Sequence, residues 1–283
     1  MTEGELTMRK LLAFCFALLL FGTALAESAE PAWTSKLPAL TAREAAMLVP
    51  ANTAEPLAED YVPKNLINVI RRRDGDDGRN ANGGVYVSTN GNVQLVSEAA
   101  AALTKLMQAA EADGITLYLR QGYRSYQDQA KLVKRARITD LVQPAGACDY
   151  QTGLAVTLVG YDWRGRTLND EFAATREAQW LEANAPVYGF VLRYPKGKEG
   201  VTGNAYEPWH LRYVGSSKVA GSMVRANLCL EEYLERYRAD LADFEARGGD
   251  VEALIAAITL PAGPVVLDTT GPDGDHELVL FHD

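Results

Sequence analysis

Only three histidines occur in the 283 residues, and His276 and His282 lie in an acidic tail, so a catalytic imidazole or metal ligand of the central chain has to be His210. His210 closes the run Tyr206-Glu207-Pro208-Trp209-His210, in which a carboxylate precedes the imidazole by three residues. Pro208 disfavours a regular strand ladder between them, and the spacing can aim both groups at one point. A glutamate beside a metal-bound water is the usual base of zinc peptidases, and a histidine supplies a neutral nitrogen ligand. Read alone, His210 would be a hydrogen-bonded structural residue; its neighbourhood carries the signal. Other chemistries lack their residues. The chain has no G-x-S-x-G elbow, no P-loop and no dinucleotide fingerprint, and Cys148 lacks the surroundings that mark a cysteine nucleophile.

The elements that would position these groups can be read from periodicity. Short strands are expected at Val85-Tyr86-Val87 and 93–96 around the turn Asn90-Gly91, followed by a helix from Ser97, its expected cap, with Leu103, Leu106, Met107 and Ala110 on the core face. A strand over 115–119 leads through Gln121-Gly122-Tyr123-Arg124-Ser125 into a helix over 126–138. Further strands are expected at 154–159, 190–194 and 206–214, and helices at 171–184, 216–244 and 250–258. Helices alternate with strands whose order is not cleanly parallel, so the class is α+β, a small mixed or antiparallel sheet flanked by helices.

Around this core the chain carries extensions. Arg9 and Lys10 precede the apolar run 11–20 and the triplet Ala24-Leu25-Ala26, which reads as a signal peptide over 1–26, with an uncleaved anchor as the competing reading. Either places the rest outside the cytoplasm, and no later segment approaches a membrane span. The proline-rich lead-in 27–55 is expected to wrap the domain loosely, with one short helix at 41–48. The stretch 71–82 suits an exposed charged loop, and the last twenty residues suit a hairpin around Pro272-Asp273-Gly274. Residues 231–283 hold thirteen Asp and Glu against three Arg, so the tail accounts for the net charge of -9 and leaves the core nearly neutral. Neither part offers the basic stripe that nucleic acid needs. Cys148 and Cys229 are the only pair left after Cys15 of the leader, which allows a disulfide or two buried thiols.

Four segments, QGYRSYQDQ (121–129), DYQTGLAVTL (149–158), YGFVLRYPKGKEGVTG (188–203) and YEPWHLRYVG (206–215), resemble the zinc D-alanyl-D-alanine carboxypeptidases of the VanY type. The likeness covers roughly residues 56–236, leaving 237–283 as an acidic C-terminal extension. In that family a G-Y-R-S turn supplies a substrate-binding arginine, S-x-H-x-x-G-x-x-x-D two zinc ligands, and E-P-W-H the base and the third ligand. The resemblance implies that Arg124 binds substrate and steadies an oxyanion, that Glu207 is the base, and that His210 is the last ligand. It also implies Ser125, Gln129, Gln151 and Trp209 as substrate-binding neighbours.

The middle motif departs from the pattern: Tyr150 stands where the family has histidine, Thr157 where it has aspartate, and Cys148 where it has serine. A phenol and a neutral hydroxyl are poor zinc donors at neutral pH, and a catalytic zinc needs three protein ligands. The expectation is an exported envelope protein of a bacterium directed at peptidoglycan stem peptides or a D-Ala-D-Ala-like terminus, with zinc hydrolysis lost and no cofactor, in a binding or regulatory role. The alternatives are an active metallo-D,D-carboxypeptidase whose zinc site is rebuilt around Cys148 and Asp149, and a structural envelope module.

Overall fold

The computed structural model describes residues 31–70, 86–87, 93–136, 142–257, 264–268 and 277–281. The leader 1–26, the loop 71–82, the turns at Asn90-Gly91 and Pro272-Asp273-Gly274, and His276 and His282 lie outside the described residues.

The lead-in contributes helix α1 (Ala42–Ala46), started by a reciprocal capping box between Thr41 and Glu44. Strand β1 (Leu66–Ile70) pairs antiparallel with β3 (Val93–Val96) as a separate ribbon. The chain then passes directly into α2 (Ser97–Ala112), whose N-cap is Val96; Ser97 is the first helical residue and bonds Glu98 rather than capping. Leu103, Leu106, Met107 and Ala110 are fully buried, as their spacing requires.

The main sheet has five strands in the order β2 (Tyr86–Val87), β4 (Tyr118–Gln121), β5 (Ala155–Val159), β7 (His210–Tyr213) and β6 (Phe190–Leu192). β2 runs parallel to β4 and every other pair is antiparallel, which makes the sheet mixed. Helix α3 (Tyr126–Arg135) follows β4, and α4 (Arg176–Asn184) and the single-turn α5 (Glu199–Thr202) flank β6. The helix expected over 171–184 is divided, because a 3-10 turn at Asp170–Ala174 precedes α4, which starts afresh from its own Thr175 cap.

The helical stretch expected over 216–244 is likewise two helices, α6 (Ser217–Arg225) and α7 (Leu230–Ala246), separated where Asn227 takes φ 52°. Helix α8 (Val251–Ala257) and an antiparallel pair β8 (Pro264–Asp268) and β9 (Glu277–Phe281) complete the described chain.

The lead-in is not loose. Leu37, Leu40 and Leu48 are buried with Val214, Val219, Tyr233 and Tyr237 in a second apolar cluster beside the sheet core. Each such leucine is worth roughly 1.5–3 kcal/mol of burial, far more than a wandering strap could gain. Polar ties fix its path: the Leu40 amide donates to Tyr237 Oη at 3.0 Å, and Arg238 pairs with Glu55 at 2.7 Å. Boundaries drawn at 55 and 236 on the sequence therefore divide one cluster, and 236 falls inside α7.

Candidate active site

Arg124 is aimed by a close backbone approach. At Gly122 a Cβ would stand 2.5 Å from Val93 Cγ1 and 2.8 Å from the Gln94 carbonyl oxygen, so only glycine lets β4 turn here against β3. The Tyr123 amide donates to Gln94 O at 2.8 Å and the Arg124 amide to Tyr150 O at 3.2 Å. The guanidinium then donates from Nη1 to Gln129 Oε1 at 2.7 Å; Gln129 is buried and passes the restraint on through Nε2 to the Gln143 carbonyl at 2.5 Å.

Glu207 and His210 meet as their spacing allows. The Glu207 amide donates to Tyr194 O and the His210 amide to Glu207 O, so Glu207-Pro208-Trp209-His210 is a turn into β7. It brings His210 Nδ1 to 2.7 Å from Glu207 Oε2, and since a carboxylate can only accept, Nδ1 carries the proton. Nε2 faces Asp149 Oδ2 at 3.6 Å. Burial pushes the imidazole pKa down, but the two carboxylates outweigh it and leave it raised above 6.5.

The two departures from the family pattern lie together. Antiparallel register sets Thr157 of β5 opposite His210 of β7. Tyr150 sits on a 3-10 turn (Asp149–Thr152) that ends at Gly153 with φ 69°, a left-handed stop where a Cβ would meet Leu66, Pro63 and Val96 at 3.0–3.1 Å. The Tyr150 hydroxyl reaches Thr157 Oγ1 at 2.5 Å, and its ring stacks on His210 with centroids 4.5 Å apart and planes 13° apart. Burial, then the Glu207 charge, drive the phenol pKa upward, so Tyr150 stays neutral.

These groups line a cleft of about 460 Å³ that holds Arg124, Gln129, Cys148, Tyr150, Thr157, Glu207, Trp209 and His210. Three residues singled out on the sequence are elsewhere. Ser125 caps α3, accepting from the Asp128 amide at 3.1 Å. Gln151 is buried and accepts from the Gly146 amide at 2.6 Å. Cys229 lies at the start of α7. Cys148 and Cys229 are both free buried thiols rather than a disulfide, because one is set in the cleft floor near Arg124 and the other begins α7 beside Glu232. Burial lifts the Cys148 thiol to about 11, well away from a reactive thiolate.

What sequence reasoning missed is the floor. Asp149 Oδ1 pairs with Arg193 Nε at 3.2 Å and with Arg212 Nη1, all three side chains fully buried. Arg193 makes a second, bidentate pair with Glu231 of α7 at 2.6 and 3.0 Å, and Arg212 Nη2 donates to the Met47 and Val49 carbonyls of the lead-in. Burial would raise the Asp149 carboxyl; Arg212 and then Arg193 more than offset it and hold it well below the usual range. The signal was an arginine inside each of two apolar strand-like runs, FVLRY and HLRY, since a buried cation needs an acid partner.

Zinc does not fit this donor set. Tyr150 and Thr157 satisfy each other, the Nδ1 of His210 is committed to Glu207, and Asp149 is held by two arginines. No group of three His, Cys, Asp or Glu among the described residues is placed to hold a metal. No helix among them is long and apolar enough to cross a membrane.

Comparison with known proteins bears on the family and the fold. A family model described as VanY, D-alanyl-D-alanine carboxypeptidase, matches residues 92–216. The protein YodJ of Bacillus subtilis, provisionally named a carboxypeptidase, is 40% identical over 149 residues, 50% of this chain and 54% of that protein. The bifunctional D-Ala-D-Ala dipeptidase and carboxypeptidase VanXYC of Enterococcus gallinarum is 32% identical over 44% of this chain and 69% of its own length. Among solved structures, the LD-carboxypeptidase LdcB, described for its peptidoglycan recognition, superposes with a TM-score of 0.55 at 33% identity over 71% of this chain and 90% of that one. The chain spans about half the length of the first curated relatives it matches.

Proposed function

Because this chain belongs to the VanY family of D-alanyl-D-alanine carboxypeptidases, we propose that it is an exported, envelope-located protein that binds the C-terminus of peptidoglycan stem peptides without zinc hydrolysis. The observation that carries the reading is the neutral Tyr150–Thr157 hydroxyl pair stacked on His210, beside a cleft that still presents Arg124 and Glu207. A guanidinium steadied by Gln129 suits a peptide carboxylate, which it can grip through charge-assisted hydrogen bonds. Glu207 here tethers an imidazole rather than deprotonating a polarised water. A binding or regulatory part in wall-peptide trimming follows from a receptor that does not cut.

The rebuilt-metal reading is less well supported, since Cys148 is a high-pKa thiol and Asp149 is already paired with two arginines. Metal analysis of the purified protein, assay of D-alanine release and calorimetry with a peptide ending in D-Ala-D-Ala test the proposal together. Substoichiometric zinc, no release and measurable binding are expected. Binding should weaken roughly ten- to a hundredfold in Arg124→Ala, the size of hydrogen bonds to a charged group. Stoichiometric zinc with D-alanine release would overturn it, and absence of binding would leave only a structural module.

A further inference from the structure

The wall of the cleft is bonded to a segment that terminus recognition does not use. Arg120 and Leu168 line the cleft together with Arg124. Arg120 Nη1 donates to the main-chain oxygens of Trp163 at 3.1 Å and Arg166 at 2.8 Å, which ties the segment 160–168 to the cleft wall. On that segment the Arg164 guanidinium lies 3.6 Å from the centroid of the Tyr161 ring and 4.9 Å from that of Tyr118. The Arg166 guanidinium lies 4.2 Å from the Trp163 ring.

The rings are firmly seated. Trp163 and Tyr118 are buried in a cluster with Phe172 and Trp209, and Trp209 itself lines the cleft beside Glu207. Tyr161, by contrast, is 60% exposed. An arginine stacked on an aromatic face is pre-organised and keeps the in-plane edge of its fork available to acceptors. Arg164 commits Nε to Tyr161 O at 3.0 Å, leaving its terminal nitrogens. Arg166 meets Glu171 at 3.7 Å, with both side chains more than half exposed, a pair that water screens and a ligand acid can displace. Asp162 and Asp170 are the other acids nearby in sequence. In a chain of net charge -9, Arg120 and Arg124 line the cleft and Arg164 and Arg166 lie on the segment that Arg120 bonds, an arrangement that favours an anionic occupant.

We propose that Arg164 and Arg166, stacked on Tyr161 and Trp163, form a second subsite that binds a carboxylate carried by the ligand upstream of the terminus held at Arg124. The preferred ligand of the cleft is then an acidic peptide. This inference rests on the terminus-binding reading above.

The test is calorimetry on the full chain with two peptides ending in D-Ala-D-Ala that differ in one upstream residue, free acid in one and carboxamide in the other. The acid peptide should bind about two- to fivefold more tightly at low salt, the worth of a solvent-exposed ion pair. That advantage should shrink at 0.5 M salt and disappear in Arg164→Gln/Arg166→Gln. Equal binding of the two peptides by the wild-type protein overturns the subsite and leaves terminus binding standing, as does an advantage that persists unchanged in the double variant. Failure of both peptides to bind overturns both. Should the double variant fold poorly, the salt series on the unmutated protein decides instead, because an advantage that salt leaves unchanged also overturns the subsite.

Discussion

His210 divides the site into two regions built on opposite electrostatic principles. Against its face lie Tyr150 and Thr157, neutral hydroxyls that satisfy one another. Beyond its Nε2 lies Asp149, bound to Arg193 and Arg212 and through Arg193 to Glu231, an ionic frame sunk beneath the cleft. The difference is instructive because both regions share one 3-10 turn, which carries Asp149 and Tyr150 side by side. A neutral pair can be exchanged with little consequence beyond its two members, since Tyr150 and Thr157 satisfy each other. The frame cannot be thinned in that way, since removing one member strands a buried charge.

The comparison is broken most severely at the frame. Asp149→Asn leaves Arg193 and Arg212 without their shared carboxylate and should cost about 3–5 kcal/mol in urea denaturation; a loss within about 1 kcal/mol, the scale of an ordinary hydrogen bond, would mean that Asp149 is not what balances the arginines. The neutral region is probed by Tyr150→His with Thr157→Asp, which returns the family's ligand types. If the backbone still has ligand geometry, zinc at about one hundred to one thousand times its dissociation constant should stabilise the double variant by about 3–4 kcal/mol and leave the wild type unmoved. No zinc-dependent shift in the variant would show that the frame alone does not preserve the geometry.

A smaller effect sharpens the ionic side. Burial raises the Glu231 carboxyl and Arg193 more than offsets this, so its pKa is lowered from 4.5; Glu44 is lowered likewise, burial being outweighed by Ser216, Thr41 and Lys218. Carboxylates with depressed folded values contribute stability that is present above 4.5 and lost as pH falls through the folded value. Unfolding free energy should therefore decline on acidification below about pH 4.5, and Glu231→Gln should flatten part of that slope. A slope identical in the variant would remove Glu231 from the frame.

Sequence and structure agree at two points where short-range pattern decides the outcome. The spacing of Leu103, Leu106, Met107 and Ala110 revealed α2, and Glu207-Pro208-Trp209-His210 revealed the turn that joins the carboxylate to the imidazole. Tyr150 and Thr157 could be placed on the sequence because Gln151, Thr152 and Gly153 lie between them, and the structure sets the two side chains against each other. What escaped depends on distant partners. Asp149, Arg193, Arg212 and Glu231 come from four separate stretches of chain, and no local period links them. Ser125 and Gln151 resemble substrate contacts by position, yet they bond a helix N-terminus and a glycine amide. Strand β1 went unread because its apolar run abuts three arginines that suggested a loop.

The buried lead-in has a consequence for the order in which the molecule can come together. Leu40 and Tyr237 are hydrogen-bonded across 197 residues of sequence, and Ser35 meets Asp240 across 205. Leu37, Leu40 and Leu48 share their cluster with Val191, Val214, Val219 and Met223 and with Tyr233 and Tyr237 of α7, so the shelter of the earliest described residues is complete only with one of the last helices. Closing so long a loop adds only about 0.6 kcal/mol per doubling of length, a modest thermodynamic toll. Non-local contacts of this kind slow folding rather than weaken the fold. Arg212 grips the Met47 and Val49 carbonyls at that same seam, which makes the cleft floor one of the late parts of the molecule to set.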